Sequence, residues 1–253
     1  MKKLFALIFI ALAYISCSTD DKTEEDDSNG SSTELKLIQE KVFSIENGVE
    51  EVTLLLDYTY QADGKLKEYR STTQNGTLIS TYTYTNNRPT KVEYSNGGYW
   101  EYAYDGDLIV SSKLYSEPND QFPTHFNYQY NASSQLVSRE RVLNEEASCF
   151  IYYTNNANAN HPTIDDDCYG LTVENEFDNA KNPNYAISID AILKAGGTSK
   201  NNEKVIVTTI NQNGTEVTDT RVHTYTYNDK NYPIERKRYF NDELISRTEY
   251  TYQ

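Results

Sequence analysis

Three histidines, His125, His161 and His223, are the only side chains among 253 residues that ordinarily titrate near neutrality. None belongs to a His-Glu-x-x-His pair, and no Gly-x-Ser-x-Gly elbow, phosphate-binding loop or dinucleotide fingerprint occurs. The sequence therefore points away from nucleophilic, zinc and cofactor chemistry, toward a protein that is not an enzyme. Two clusters could still hold a ligand. Asp165, Asp166 and Asp167 offer hard oxygen donors to calcium, with Asn160 or a loop carbonyl to complete the shell. They lack the spaced acids and glycine of a calcium loop, and a solvated acidic loop is the competing reading. Trp100, the sole tryptophan, lies between Tyr99 and Tyr102 beside the Asn96–Gly97 turn, where the three rings could stack on a sugar. The competing reading places Trp100 on a strand's buried face with Tyr102 and Tyr104.

The elements that must position these residues are announced by a repeat. Tyr-x-Tyr recurs at Tyr58/Tyr60, Tyr82/Tyr84, Tyr102/Tyr104, Tyr128/Tyr130, Tyr225/Tyr227 and Tyr250/Tyr252. Units of about 20 to 26 residues are two strands and two turns. Alternation agrees: Val52, Leu54, Leu56, Tyr58 and Tyr60 share one face, mostly opposite Thr53, Asp57 and Thr59. Turn chemistry falls between the strands at Asn47–Gly48, Asp63–Gly64, Asn75–Gly76, Asn96–Gly97, Asp105–Gly106 and Asn213–Gly214. The spacing predicts an all-β, up-and-down antiparallel meander of about 14 strands, which must curl into a barrel or half-barrel. A closed cylinder of that size leaves a lumen unless it flattens or is plugged, and the lumen would be lined by tyrosines. Two stretches break the pattern: residues 154–162 read as a long loop, and residues 185–195 read as one short helix that could cap or plug a mouth.

At the amino end, Lys2 and Lys3 precede an apolar run, Leu4–Ala13, too short to span a bilayer, and Ser16 precedes Cys17. This reads as a secretory signal over residues 1–16. Residues 17–34 are polar and rich in Asp and Glu, a composition that cannot bury enough surface to fold and reads as a tether. Residues 35–253 form the single remaining domain. The whole chain carries a net charge of −15, and loss of Lys2 and Lys3 with the signal makes it more negative, which disfavours nucleic acid as a partner. Export to an oxidising compartment leaves Cys149 and Cys168 as an even pair able to form a disulfide, worth about 3 kcal/mol for such a loop on the chain-entropy model. Two separate thiols are the alternative.

Ser16–Cys17 after the apolar core resembles the lipobox of bacterial lipoproteins, whose cysteine is acylated. The acidic run that follows resembles the export signal of Bacteroides-type surface lipoproteins. These likenesses imply a membrane partner through lipidated Cys17 and an outer-membrane, surface-exposed location. Units such as Tyr102-Ala-Tyr-Asp105-Gly106 and Tyr58-Thr-Tyr-Gln-Ala-Asp63-Gly64 resemble YD repeats. The Tyr-x-Tyr series interrupted by Asn182–Pro183 and Lys200-Asn-Asn202 is similar to uncharacterised Bacteroides-type lipoproteins with a porin-like fold, which implies an architecture and no activity. The expected function is a surface binding protein for a glycan, peptide or host component, with a structural or assembly scaffold as the alternative. A membrane-spanning barrel is disfavoured because the apolar face is mostly tyrosine.

Overall fold

A computed structural model describes residues 35–142, 148–187, 189–212 and 215–253. The leader, Cys17, the acidic tether and the Asn213–Gly214 turn lie outside them. The first strands are β1 (Leu37–Glu46), β2 (Val49–Tyr60), β3 (Leu66–Thr73), β4 (Gly76–Thr85), β5 (Arg88–Tyr94) and β6 (Tyr99–Asp105). They continue as β7 (Leu108–Tyr115), β8 (Thr124–Tyr130), β9 (Leu136–Val142), β10 (Ser148–Tyr153), β11 (Thr163–Asp166) and β12 (Leu171–Lys181). The last four are β13 (Asn201–Gln212), β14 (Thr215–Tyr227), β15 (Pro233–Phe240) and β16 (Glu243–Tyr252). Each pairs antiparallel with its sequence neighbours, and β16 returns to β1, closing the barrel. The count is thus sixteen rather than about 14, and the cylinder closes. The four-residue β11, Thr-Ile-Asp-Asp, is too short to display an alternation of its own, so it merged with the loop before it.

The tyrosine repeat has a mechanical basis. A β-bulge immediately precedes the second tyrosine of five units, between Thr59/Tyr60, Thr83/Tyr84, Ala103/Tyr104, Gln129/Tyr130 and Thr226/Tyr227. A bulge disrupts the ladder locally, and a buried carbonyl must then find another donor. The next unit's second tyrosine supplies it. Tyr60 pairs with Leu66, whose carbonyl accepts from the Tyr84 hydroxyl at 2.8 Å. Tyr84 pairs with Pro89, whose carbonyl accepts from Tyr104 at 2.7 Å. Tyr104 pairs with Ile109, whose carbonyl accepts from Tyr130 at 2.9 Å. Across the closure, Tyr252 donates to Pro233 at 2.8 Å and Tyr60 donates to Leu37, the partner of Tyr252. Leu37, Leu66, Ile109, Leu136 and Pro233 are all fully buried, so this ring of staples forms an apolar girdle near one mouth.

The segment between β12 and β13 enters the barrel at that same mouth. The single helix expected near 185–195 is replaced by two short pieces, a 3-10 turn over Pro183–Ile187 and a six-residue helical segment α1 (Asp190–Ala195). Ile189 provides no side-chain cap, and Gly196 and Gly197 end the segment. Its apolar residues still decide its place. Ala186, Ile187, Ile189 and Leu193 pack with Leu37, Tyr58, Leu66, Tyr232 and Tyr250. Ala195 joins Ile109, Tyr128, Leu136, Ile151 and Tyr153, and Ile192 touches both groups. The segment is a plug that supplies the barrel with a core.

From β3 to β8 the outer wall carries polar rows, while Val49, Val52, Tyr152, Val217, Val222 and Ile234 are exposed apolar side chains on other strands. Lys91, Glu101, Lys113 and His125 face one another across four adjacent strands, and Glu68, Thr81 and Glu93 form a second row. Phe43 also points outward, but Arg247 lies 4.2 Å and Lys41 5.0 Å from its ring centroid. Arg247 is in turn paired with Glu50, Glu235 and Glu249.

Candidate ligand-binding lumen

The first tyrosine of each pair points deeper into the lumen than the second. Tyr69, Tyr82, Tyr94 and Tyr102, with Ser71, Leu78, Ser80 and Val92, line a cavity of about 340 Å³ beneath Ile192 of the plug. Burial raises the pKa of Tyr82 and Tyr102 and keeps both phenols neutral. Neither hydroxyl makes a hydrogen bond among the described residues, so both present donor and acceptor capacity to the cavity. Other lumen tyrosines are already engaged, as in Tyr128 with Ser112 at 2.7 Å and Tyr58 with Glu40 at 2.6 Å.

The three aromatic residues expected to form a platform are divided by the pleat. Tyr99 is on the outer wall, stacked on Tyr115 at 4.3 Å with the Lys91 ammonium 4.4 Å from its ring centroid. Trp100 and Tyr102 point inward and lie parallel, 6.1 Å apart at 3°. Trp100 does not line the cavity. It braces two residues that do, stacking on Tyr102 and lying beside the Tyr94 hydroxyl, while Phe126 closes its other side at 5.3 Å.

The aspartate triplet does not converge. Asp165 faces outward to the Thr172 hydroxyl, whereas Asp166 faces inward and accepts from the Tyr169 amide. Asp167 accepts from the Phe150 amide beside the disulfide between Cys149 and Cys168. Successive strand residues alternate faces, and oxidised sulfurs are not thiolate ligands, so no shared coordination shell results. Asn160 is elsewhere, its side chain exchanging hydrogen bonds with the side-chain carbonyl and backbone amide of Asn201 at 2.9 and 2.8 Å.

Residues 154–162, expected to be a plain loop, fasten the plug. Asn155 takes a tyrosine's place in the staple ring, donating to the Leu136 carbonyl at 2.7 Å. The His161 amide donates to the Ser199 hydroxyl at 3.1 Å, and the Asn182 side chain donates to the Ser199 carbonyl at 2.9 Å.

Sequence reasoning also missed a group of inward-facing ionisable residues. Glu40 and Glu203 have raised pKa values, first because they are buried, with Arg236 opposing the shift in both and the Tyr58 hydrogen bond opposing it for Glu40. His223 donates through Nδ1 to the Glu203 carbonyl at 3.1 Å, and burial beside Arg236 lowers its pKa to about 4. The signal for Glu40 was present, since a charged residue in phase with the inward Val42 marks a polar lumen. Arg236 and Arg238 gave none, because Glu235-Arg-Lys-Arg238 is charged on both faces.

A solved porin-like protein from Bacteroides uniformis resembles this chain with a TM-score of 0.59 at 12% sequence identity, covering 86% of this chain and 98% of its own. The likeness is one of fold. No protein-family model matches the chain, and no curated protein matches it.

Proposed function

We propose that the chain is a non-catalytic binding protein of the outer membrane, lipid-anchored through Cys17 at the cell surface, and that its tyrosine-lined lumen takes a glycan. The observation that carries this reading is the 340 Å³ cavity, in which aromatic faces alternate with the uncommitted hydroxyls of Tyr82 and Tyr102. Sugar rings need that combination of a stacking surface and hydroxyl partners. The charged rows over β3 to β8 support a barrel held at the membrane by acyl chains rather than immersed in it, because a spanning barrel needs a continuous apolar band about 25 Å tall. The acidic residues after Cys17 and the YD-like units are consistent with a surface role.

The test is a glycan array probed with residues 35–253, within which every strand of the ring finds both neighbours. Reproducible hits that weaken in a Tyr82→Phe/Tyr102→Phe variant support the reading, and silence across the array contradicts it. The outward Tyr99–Tyr115 stack under Lys91 favours a second reading, a scaffold that meets a protein partner on its wall. Recovery of a defined envelope complex that Tyr99→Ala/Tyr115→Ala abolishes would support the scaffold, and a lone monomer in mild detergent would count against it.

A further inference from the structure

A second cavity, of about 260 Å³, lies between the two stems of the plug and the wall of β1 and β13 to β16. It shares no lining residue with the tyrosine cavity. Asn182, Asn184 and Thr198 come from the stems, and Glu40, Glu203 and Arg236 from the wall. No ion pair joins these three charged side chains among the described residues. Arg236 donates only to the Thr248 hydroxyl, at 3.3 Å, and Glu40 accepts only from Tyr58, at 2.6 Å. The Glu203 carboxylate makes no hydrogen bond, although its backbone carbonyl accepts from Tyr225 at 2.9 Å.

Arg236 attracts both carboxylates across this space, but none of the three makes a direct ion pair in it, and an enclosed charge without such a contact is costly. We propose that this cavity binds a small α-amino acid as its zwitterion, with the ammonium between the carboxylates of Glu40 and Glu203 and the carboxylate on the guanidinium of Arg236. A neutral sugar would leave all three without a direct ion pair, held only by the attraction between Arg236 and the two carboxylates, and a simple anion would serve only Arg236. A zwitterion gives each charged group an opposite one, and the guanidinium fork matches a carboxylate in two-point fashion. The volume, below the roughly 300–1,000 Å³ of drug-sized sites, confines the ligand to a small side chain.

The experiment is isothermal titration calorimetry of residues 35–253 with each standard amino acid, alongside ethanolamine, acetate and glucose. Saturable heat is expected from at least one small amino acid, with ethanolamine and acetate weaker by roughly tenfold or more. E203Q and R236Q should each weaken binding by roughly tenfold or more, while Y82F leaves it unchanged. Should R236Q fail to fold, E203Q keeps the side chain's shape and carries the test alone. Silence with every amino acid, heat from glucose alone, or an affinity unaltered in E203Q would overturn the proposal. Because the two cavities have separate ligands and variants, failure here leaves the glycan reading standing, and the converse also holds.

Discussion

The barrel has two regions built on different terms. From β2 to β9 each hairpin repeats a bulge, a buried partner residue and a tyrosine staple, and the staple recurs with Tyr252 and Tyr60 across the closure. From β10 to β14 the repeat lapses: Asn155 stands in for a tyrosine, Tyr227 donates to Asp178 rather than to a strand carbonyl, and the plug leaves the wall. The regular region resembles a solenoid in that each unit satisfies its neighbour, so its sequence shows a period. In the irregular region long-range contacts decide the structure, and it supplies the stems of the polar cavity. Repetition makes the wall, and its interruption gives the lumen an occupant.

The largest effect should come from the girdle. Leu66→Ala removes a side chain with 0% exposure from a site held by the barrel on one side and the plug on the other. A loss of about 2–5 kcal/mol is expected in chemical denaturation. A loss below about 1 kcal/mol would mean that the girdle is not a structural unit.

Next is the seat of the plug. Gly197 has φ +71°, and a Cβ there would lie 2.4 Å from the Tyr153 ring. Gly197→Ala should cost about 1–3 kcal/mol through overpacking and raise amide exchange in α1 before that of β2 to β9. Uniform exchange across both regions would remove the distinction drawn between them.

The polar cavity that the irregular region helps to enclose should also carry a pH signature. His223 has a folded pKa of about 4 against its ordinary 6.5. Between those values the unfolded chain takes up a proton that the folded chain refuses, so the contribution is complete above pH 6.5 and is lost as pH falls through about 4. Glu40 and Glu203, with raised values, act in the opposite sense, stabilising at low pH and losing that contribution as pH rises through their folded pKa values. His223→Gln should therefore flatten the fall in melting temperature on acidification, by an amount on the order of 2 kcal/mol. A profile parallel to that of the parent would show that His223 is not held neutral.

The smallest effect should be one staple. Tyr84→Phe removes a single hydroxyl donor to the Leu66 carbonyl and should cost about 1 kcal/mol, including any unmet need of that carbonyl. An equal cost for Asn155→Ala would show that asparagine fills the same role, and no cost would show that it does not.

How much of this was legible in the sequence follows the same division. Tyr-x-Tyr spacing and Asn-Gly turns give the meander, the inward tyrosines and the prospect of a plug, because each is a local property with a period. Chain closure was not local, since it depends on Leu37 meeting Tyr252. Tyr99 and Trp100 are adjacent in sequence and opposite in space, which strict alternation across the pleat could have revealed. Glu203 was hidden by a register shift between Glu176 and Phe177, opposite which the simple alternation of β13 breaks. The aspartate triplet was misleading for the converse reason, because Asp165 and Asp166 face opposite sides of β11 and Asp167, past its end, is taken by the Phe150 amide.

A ligand in the tyrosine-lined lumen would lie close to the protein's one indole. Trp100 is the only tryptophan, and it is in contact with two lining residues, Tyr94 and Tyr102. Its emission therefore reports on the cavity without a label. Glycans positive on the array should produce a saturable change in Trp100 emission, with an affinity reduced roughly tenfold in Tyr82→Phe/Tyr102→Phe. Binding of those glycans with Trp100 emission unchanged and the double variant unaffected would place the ligand elsewhere and contradict the claim.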